Sequence, residues 1–429
     1  MGLSTITQRG FSPSKYFGFL NLTRNYLRFL SSQGIAWPDY GTRLGYDNFF
    51  RRLSPRGDIS ATLYPRNLQA WYDVQDTSSM LNNAGAVPSS GDGIKLVADK
   101  SGNSAVNCLV TNNQNVAGNT ATVANLAAIG TGNFSVSGWA QYDATSAIDQ
   151  SLIASGITAG ALSFVIKNGT QRIQSSKSGT GYSSATSNAD IPPLTWFHFA
   201  YTRSGTTGTY YINGVANGTC TDSFDYTVGG AVYLMAINGV TTTGIAKRLI
   251  RVYSSALDAA GVLADYLGTV QANCVIDVNF SLASKLAPSF TATTGGTVTI
   301  NSTGATGARI CGARDLVQLD VAGARLPILT IAASGNYLTF DGSNDYLKAA
   351  AFALAQPETV YFVGSQVTWT DQDIFYDGGA TNGMCVFQAT ATPQIVAFAG
   401  TQSASTSNLA VATNGILTTV FNGASSVLR

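Results

Sequence analysis

The feature that most constrains the fold is a succession of short strand-like segments separated by glycine, asparagine and serine turns, which begins near residue 63. The clearest segment is Asn133–Tyr142, in which both faces are largely small or apolar and no residue is charged. Such a segment suits an inner strand of a β-sandwich. The dipeptide Asn213-Gly214 forms a tight turn, which is the strongest short-range signal of a β-hairpin. The sequence therefore predicts a mainly β fold.

The composition agrees with this class and limits the chemistry available. Hydrophobic residues make up 45% of the chain and charged residues 11%, with 45 glycines, as expected for short strands joined by many turns. Among the 23 acidic residues a single one, Glu358, is a glutamate, and His198 is the single histidine. General acid–base catalysis relies mostly on histidine and on pairs of carboxylates. We therefore expect a binding or structural protein and not an enzyme.

Three motifs carry a family resemblance. The strand-like Trp196–Thr202 (WFHFAYT) is followed by Tyr210–Gly214 (YYING) and then by Lys247–Val262 (KRLIRVYSSALDAAGV). In this order they resemble the Trp-x-His strand, the hairpin ending in Asn-Gly, and the last strand with its short terminal helix of laminin-G/pentraxin-like domains. The resemblance implies a concanavalin A-like jelly roll over residues 62–270. The family usually has an acidic residue between that strand and helix, where Ser254 and Ser255 stand here.

A second set of similar segments follows from about residue 275. Tyr337–Leu347 resembles the Phe-Asp-Gly-x-x-Asp-Tyr-Leu opening strand and turn of the same superfamily, and Thr359–Gly364 resembles the strand that begins at Phe134. The resemblance implies a second, truncated concanavalin-like sandwich over residues 271–429. Because a sandwich without its final strands has an open sheet edge, we expect that the natural polypeptide continues or that another chain completes the sheet.

Residues 1–61 differ in character from the rest and are expected to form a docking segment. Residues 1–66 hold nine Arg and Lys against three Asp, or +6, whereas the remainder is 15 minus 20, or −5. Apolar residues at helical spacing predict one amphipathic helix over residues 14–32. Since interface cores favour aromatic residues and arginine, we favour docking on another protein over binding of nucleic acid. The candidate docking residues are Tyr16, Phe19, Arg24, Arg28, Arg51 and Arg52.

Candidate ligand-binding residues lie in the second set of segments. Trp369 and Tyr376 stand in or beside loops, where aromatic rings can stack on sugar rings. Asp371 and Asp373 belong to the densest acidic cluster of the chain and are added to this candidate site. A solvated acidic loop is the alternative interpretation of the cluster.

Two oxygen-rich turns are candidate metal sites, one containing Asp99 and Asn103 and the other Asp341 and Asp345. Calcium prefers carboxylate and carbonyl oxygens on flexible loops, so calcium is the cofactor that they would hold. Asx-turns explain the same residues without a metal. His198 lies in the middle of a strand and is expected to be structural. The five cysteines show no CxxC spacing and are expected to be free thiols.

The chain has no visible secretory signal and no apolar run long enough to span a membrane. Together with the sandwiches and the docking segment, this resembles proteins of tailed-phage virions, which are made in the host cytoplasm. The resemblance implies a tail or head fibre whose N-terminus binds other virion proteins, and whose sandwiches contact host-surface glycan or neighbouring subunits of a homo-oligomer, for example a trimer. A capsid decoration or tail-scaffold protein is the alternative, and a glycoside hydrolase with an aspartate pair is a third.

Overall fold

The computed structural model divides the chain into two compact units, one that ends at Phe352 and one that covers residues 353–429. The candidate docking residues, the predicted helix over 14–32 and Asn103 lie outside the described residues. The structure describes residues 69–429 with gaps at 102–105, 111–119, 143–148, 157, 235, 238–239, 242–244, 302–307, 319–325, 350–351, 353, 355, 379–383, 390–393 and 407–408.

The first unit consists mainly of short strands, as the turn-rich sequence predicts. Within its described residues, one α-helix, α1, spans Ala259–Tyr266, and two 3-10 helices span Thr77–Ser79 and Phe280–Leu282. No helix in the described part of the chain has the length and hydrophobicity of a membrane span. The strands are β1 Met80–Asn82, β2 Ile94–Val97, β3 Asn107–Val110, β4 Thr120–Leu126, β5 Phe134–Tyr142, β6 Gln150–Ala154, β7 Leu162–Lys167, β8 Arg172–Lys177, β9 Gly181–Tyr182, β10 Phe197–Ser204, β11 Thr207–Ile212, β12 Val215–Thr221, β13 Gly230–Tyr233, β14 Ala236–Ile237, β15 Val240–Thr241, β16 Ile245–Tyr253, β17 Cys274–Asn279, β18 Ser289–Thr291, β19 Thr297–Asn301, β20 Arg309–Gly312, β21 Leu316–Val317, β22 Ile328–Thr330 and β23 Tyr337–Thr339.

Two antiparallel eight-stranded sheets enclose the main core of the first unit. The front sheet has the order β12-β11-β10-β5-β16-β3-β20, with β17 also paired to β16, and the back sheet has the order β18-β19-β4-β13-β6-β7-β8-β9. Phe199 and Tyr201 of the front sheet meet Phe164 of the back sheet, with ring centroids 5.7 and 5.4 Å apart. Burying one such side chain stabilises the fold by about 1.5–3 kcal/mol. The predicted mainly β fold is confirmed.

The predicted tight turn at Asn213-Gly214 joins β11 to β12. Its two residues have φ of 51° and 79°, a backbone conformation that two-residue hairpin turns require and that asparagine and glycine tolerate best. The turn also contacts β10, because the His198 N–H donates to Asn213 Oδ1 over 2.9 Å. The hairpin is therefore fixed both by its own turn and by the neighbouring strand.

The predicted domain boundary at residues 270 and 271 is wrong. β17 pairs with β16, β20 with β3, and β19 with β4, so the segment that was expected to open a second domain completes both sheets of the first. The physical reason is that Ile276, Val278, Val298 and Ile310 are buried in the same core as β5 and β10. Short strands in a turn-rich sequence do not indicate which sheet they join.

A third layer adds a small core to the first unit. It contains the sheet β1-β2-β21 and the hairpin β22-β23, which pack around Met80, Ile94, Val97 and Leu329. The segment Tyr337–Leu347, expected to open the second sandwich, contributes β23 to this layer. That assignment to the second sandwich is therefore also wrong.

The second unit contains two sheets, β24-β29-β30 and β25-β26-β27-β28. They share one core, in which Val386 and Ile395 of the four-stranded sheet meet Leu417 and Phe421 of the three-stranded sheet. Whether this small sandwich is concanavalin-like stays a prediction. Its strands are β24 Glu358–Gly364, β25 Ile374–Asp377, β26 Met384–Ala389, β27 Gln394–Ala399, β28 Gln402–Thr406, β29 Gly415–Phe421 and β30 Val427–Leu428.

The match of Thr359–Gly364 to the strand that begins at Phe134 is offset by one residue. Phe134 is buried in the core of the first unit, whereas Thr359 is exposed and Phe362 packs against the core of the second unit. A shift of one residue moves every side chain of a strand to the opposite face. Both segments are therefore strands, but the residue-by-residue alignment predicted between them is wrong by one position.

Candidate functional site

The two rings of the predicted aromatic platform pack partly against the core of the second unit. Trp369 and Tyr376 are half-buried and pack against the core of the second unit. The Tyr376 ring meets Phe421 edge-on at 6.4 Å, and burial raises the pKa of Tyr376. The stacking role of the two rings stays a prediction. Asp371 is exposed and Asp373 is half-buried, and their ligand role stays a prediction.

Around Asp99, hydrogen-bond donors occupy the carboxylate. Its Oδ1 atom accepts the N–H groups of Trp71 and Ser101 over 2.8 and 2.9 Å, and its Oδ2 atom accepts the Ser101 hydroxyl over 2.7 Å. Oxygens that already accept these donors are poorly placed to bind a cation. Within the described residues, no cluster of three or more His, Cys, Asp or Glu side chains could hold a metal ion.

The turn at Asp341 has the same character. Asp341 Oδ1 accepts the N–H groups of Ser343, Asn344 and Asp345 over 2.8, 3.0 and 3.1 Å, and these backbone hydrogen bonds lower the pKa of Asp341. Asp345 Oδ2 in turn accepts the Asp341 N–H over 2.9 Å. This geometry supports the Asx-turn interpretation over the calcium interpretation.

His198 belongs to a buried polar network that ties α1 to the front sheet. Asp265, on α1, contacts His198 Nε2 over 3.0 Å and accepts a bond from Arg251 Nη1 over 2.9 Å. It also accepts the Tyr253 hydroxyl, while Arg251 Nε donates to Asp277 over 3.1 Å. Burial raises the pKa of Asp265, but the hydrogen bonds from His198, Tyr253 and Arg251 outweigh it and lower the pKa to about 2.

This network is sealed from ligands. His198 and Asp265 are both fully buried, and the rings of Trp139 and Tyr266 lie 5.6 and 5.5 Å from the imidazole. The Nδ1 atom of His198 has no hydrogen-bond partner among the described residues. A histidine that no substrate can reach cannot act as a general base, so the geometry agrees with the predicted structural role.

Two aspartates, Asp258 and Asp265, hold the two ends of α1, whereas Ser254 and Ser255 stand before the helix. Asp258 caps the N-terminus of α1 by accepting the Gly261 N–H over 2.7 Å, which satisfies one of the free amide groups of the first turn. Asp265, one helix length further on, anchors the other end through the network around His198.

Two further buried cations were not foreseen from the sequence. Lys247 of β16 donates to the carbonyls of Ser151 and Leu152 over 2.8 and 2.7 Å, so it links the two sheets, and burial lowers its pKa. Arg203 of β10 lies 3.5 Å from Asp222 and also donates to backbone carbonyls of the neighbouring loops. Both cations hold the sandwich together and neither is accessible to a ligand.

An open depression in the third layer is the candidate binding site. It has a volume of about 430 Å³, which is in the range of small-molecule sites. Chain pairing forms it, because Ile94 N–H donates to Pro327 O and Leu329 N–H donates to Asp92 O, each over 2.9 Å. The lining residues are Asn82, Asn83, Ala84, Asp92, Gly93, Leu326 and Ile328.

The polar side of the depression is rigid. Asp92 Oδ2 accepts the Ser89 N–H over 2.9 Å and the Asn82 amide over 3.0 Å. Asn82 is itself fixed, because its Oδ1 atom accepts the N–H groups of Ala84 and Ala86 over 3.0 Å. Asp92 Oδ1 has no donor among the described residues. The bonds from Ser89 and Asn82 lower the pKa of Asp92, which keeps it an ionised acceptor at neutral pH.

The remaining lining groups complete an arrangement that suits a polyhydroxylated ligand. The exposed Asn83 offers an amide that both donates and accepts hydrogen bonds. Leu326 and the partly exposed Ile328 offer an aliphatic surface. A fixed carboxylate beside an amide and an apolar surface can bind a sugar ring through its hydroxyls and its C–H groups.

A comparison with protein families matches residues 113–262 to a laminin G family described as the concanavalin A-like lectin/glucanases superfamily. Residues 113–262 are therefore similar to a concanavalin A-like domain. The resemblance stated from the Trp196, Tyr210 and Lys247 motifs is thus confirmed. The matched residues include β5, β10 and β16, whereas the residues that line the depression lie outside the match. A search of curated proteins finds no match.

Parts of this chain are similar to solved structures, at low sequence identity and low TM-score. A Bacteroides ovatus protein, provisionally described as carbohydrate-binding, is 11% identical with a TM-score of 0.33 over 46% of this chain and 61% of its own. The Trypanosoma rangeli sialidase is 11% identical with a TM-score of 0.27 over 32% of this chain and 23% of its own. The heptameric pentraxin of Limulus polyphemus is 13% identical with a TM-score of 0.32 over 46% of this chain and 95% of its own. The chain therefore covers less than two thirds of the length of the Bacteroides ovatus protein and of the sialidase. Likeness at this level does not bear on function.

Proposed function

We propose that this protein is a lectin-like, non-enzymatic protein that binds a carbohydrate in the depression lined by Asn83, Asp92 and Ile328. The observation that carries the proposal is the fixed carboxylate of Asp92, which has one oxygen held by Ser89 and Asn82 and a second without a donor among the described residues. Sugar hydroxyls are strong donors to such an acceptor. The depression is also open, as a site for the end of a glycan chain would be.

The same geometry favours binding over hydrolysis. Glycosidases generally use two accessible carboxylates, and their general acid has a raised pKa. Among the described residues that line the depression, Asp92 is the single acidic one, and its pKa is lowered. Asp265 and Asp277 do form a carboxylate pair around Arg251, but all three side chains are buried. Neither place offers an acid and a base to one substrate.

A glycan array probed with the full chain tests the proposal, with Asn83→Ala as the site variant. Asn83 is exposed and makes no hydrogen bond that holds the fold within the described residues, so the variant should fold normally and lose binding at least tenfold. Asn344→Ala is the matched control, because Asn344 is also an exposed turn asparagine, and it should bind like the unmodified protein.

Three results would overturn this function. The first is an array without any bound saccharide, and the second is equal binding by the two asparagine variants. The third is release of reducing sugar from a bound polysaccharide, which would favour the alternative of a glycoside hydrolase. A sugar that binds both variants equally would point to a site elsewhere in the chain.

As the biological setting we propose a phage virion, with the protein as a tail or head fibre anchored by residues 1–61. The low charge, the sandwich scaffold and the basic aromatic N-terminal segment support this setting. A capsid decoration or tail-scaffold protein is the alternative. Deletion of residues 1–60 should abolish incorporation into particles, and unchanged incorporation would contradict the anchor.

A further inference from the structure

The hairpin β22-β23 of the third layer has an inner and an outer face. Leu329 of β22 belongs to the small core of this layer, and Leu338 of β23 packs against it. Because neighbouring side chains of a strand point to opposite faces, Ile328 of β22 and Tyr337 of β23 lie on the outer face. Both are exposed, at 42% and 50%. Ile328 lines the depression that contains Asp92, so Tyr337 shares a sheet face with this part of the proposed sugar site.

The register of the hairpin fixes how far Tyr337 lies from the depression. Ile328 pairs directly with Thr339, and Tyr337 pairs with Thr330, two residues further along β22. Tyr337 is therefore the diagonal neighbour of Ile328, and such neighbours are about 7–8 Å apart, which is within reach of an aromatic side chain. Tyr337 thus lies beside the depression, at a distance that the next ring of a linear glycan can reach.

The ring of Tyr337 is not used by the fold. Among the described residues it makes no aromatic or cation–π contact, and its hydroxyl has no hydrogen-bond partner. The exposed tyrosine of β9 differs in this respect, because the Tyr182 ring lies 3.7 Å from Lys167 Nζ and its hydroxyl donates to Asp149. A half-exposed aromatic ring without such contacts is available to a ligand.

The backbone that carries Tyr337 is held in place by the residue before it. Asn336 donates its N–H to Gln75 Oε1 over 2.6 Å and its side-chain amide to the Gln75 carbonyl over 3.1 Å. Gln75 Nε2 in turn donates to the Asn336 carbonyl over 2.5 Å. A binding group that is positioned before the ligand arrives loses less freedom on binding. The start of β23 therefore presents Tyr337 from a rigid backbone.

The charges of this surface limit the kind of sugar that it can take. Asp92 is an ionised acceptor, and no lysine or arginine is among the described residues that line the depression. Thr330, Thr339 and Tyr337 add no cation on the side of β23. An acidic sugar would bring a second negative charge next to Asp92 without a cation to balance it, and juxtaposed like charges are unfavourable. The surface therefore suits neutral sugars.

We propose that the depression and Tyr337 form one extended site for a neutral, linear oligosaccharide of two or more rings. The first ring binds at Asp92, Asn83 and Ile328, and the second lays its C–H face on the ring of Tyr337, which offers a large and rigid apolar surface. The inference deepens the proposed function and rests on it, since the first ring must bind in the depression.

Titration calorimetry of the full chain with a length series of sugars tests the proposal. The probes are unbranched oligomers of glucose, galactose, mannose and N-acetylglucosamine with one to four rings, and oligomers of uronic acids of the same lengths. In the neutral series that binds best, we expect two rings to bind about tenfold more tightly than one. The uronic acid oligomers should bind more weakly than every neutral oligomer of that series.

Two substitutions of Tyr337 separate stacking from other roles. Tyr337→Ala should weaken the binding of two or more rings by about tenfold and leave the binding of a single ring within about twofold. Tyr337→Phe keeps the aromatic surface and should bind every length like the unmodified protein. Because Tyr337 is exposed, far-UV circular dichroism should be unchanged in both variants.

The Asn83→Ala variant distinguishes the failure of this inference from the failure of the proposed function. If Asn83→Ala weakens every length while Tyr337→Ala binds every length normally, the depression binds sugar and the extended site is wrong. A loss of equal size for one ring and for two rings in Tyr337→Ala would also overturn the extended site, and so would an equal loss in Tyr337→Phe. A panel without any bound sugar, or binding that Asn83→Ala does not alter, would overturn both proposals.

Discussion

Each unit contains an antiparallel pair of strands of the same length, but the elements that surround the two pairs differ. β5 pairs with β10 over seven residue pairs, and β24 pairs with β29 over seven. In the first unit a further strand and α1 close the edge and the face, and the outward side holds the buried network of His198, Arg251 and Asp265. In the second unit no described strand pairs with the second edge of β24, and no described helix covers the outward face of the β24–β29 pair. The pairing of two strands therefore does not determine whether their outward face is buried. The element that packs over that face determines it.

The largest expected effect concerns the covered face. Arg251→Met removes the partner of two buried carboxylates, Asp265 and Asp277, and breaking a buried ion pair costs about 3–5 kcal/mol. We expect this loss in the free energy of unfolding of the first unit. Hydrogen exchange of peptides from β16 and β17 in increasing urea measures it. The comparison variant Thr418→Met, on the outward face of the second unit, should change stability by less than about 0.5 kcal/mol.

Equal losses from the two methionine variants would contradict the distinction between the faces. A loss below about 1 kcal/mol for Arg251→Met would mean that the network around Asp265 is not closed to water, since solvated ion pairs contribute about that much or less.

The next effect is a dependence of stability on acidic pH. The pKa of Asp265 is lowered from its ordinary value of 3.8 to about 2, and at about 1.4 kcal/mol per pH unit this contributes roughly 2 kcal/mol. Because the folded pKa lies below the unfolded one, this stability is present above about pH 4 and is lost as the pH falls towards 2. Urea unfolding between pH 5 and 2 should show the loss in the first unit.

Asp265→Asn provides the comparison for this pH dependence. The variant is less stable at pH 7, but its stability should fall less between pH 4 and 2 than that of the unmodified protein. Parallel pH profiles for the two proteins would show that Asp265 keeps an ordinary pKa and would remove the electrostatic part of the account.

A smaller effect is expected when the same substitution, isoleucine to valine, is made at a buried and at an exposed strand position. Ile250 of β16 is fully buried, whereas Ile416 of β29 is 64% exposed. Removing one methylene from a core costs about 0.5–1.5 kcal/mol, so Ile250→Val should lower the free energy of unfolding by that amount. Ile416→Val should leave the unfolding of the monomer unchanged. A measurable cost at Ile416 would indicate that this face is covered.

The smallest effect is one of reactivity and not of stability. Cys108 and Cys311 are buried in the first unit, and burial raises the pKa of Cys108 to about 12. Cys385 of the second unit is half-buried. A thiol reagent at pH 8 should therefore label Cys385 before Cys108, as peptide mass spectrometry would detect. Labelling of Cys108 at the rate of Cys385 would indicate that the first sandwich opens readily.

Much of the first sandwich could be predicted because its signals are local. The uncharged segment at Phe134 became β5, the Asn213-Gly214 turn joins β11 to β12, and the final strand and helix follow as β16 and α1. Each of these rests on neighbouring residues, through alternation, turn chemistry or a helix cap. The structural role of His198 followed from the lack of a second histidine.

The domain boundary and the candidate site could not be predicted, since both depend on contacts between distant segments. The depression forms where Gly93 pairs with Ile328, and the expected boundary near residue 270 assigned these two residues to different domains. β24 was offset by one residue because apolar side chains occupy both of its faces, so its sequence contains no clear alternation. Trp369 and Tyr376 stand near loops in the sequence, but their rings turn inward to the core.

The most direct test of the central claim is a crystal structure of the full chain with the glycan that binds best on the array. The account predicts a saccharide in the depression, with a sugar hydroxyl about 3 Å from Asp92 Oδ1, a second polar contact to the Asn83 amide, and the C–H face of the ring against Ile328. A saccharide bound anywhere else on the molecule, with the depression filled by water, would contradict it.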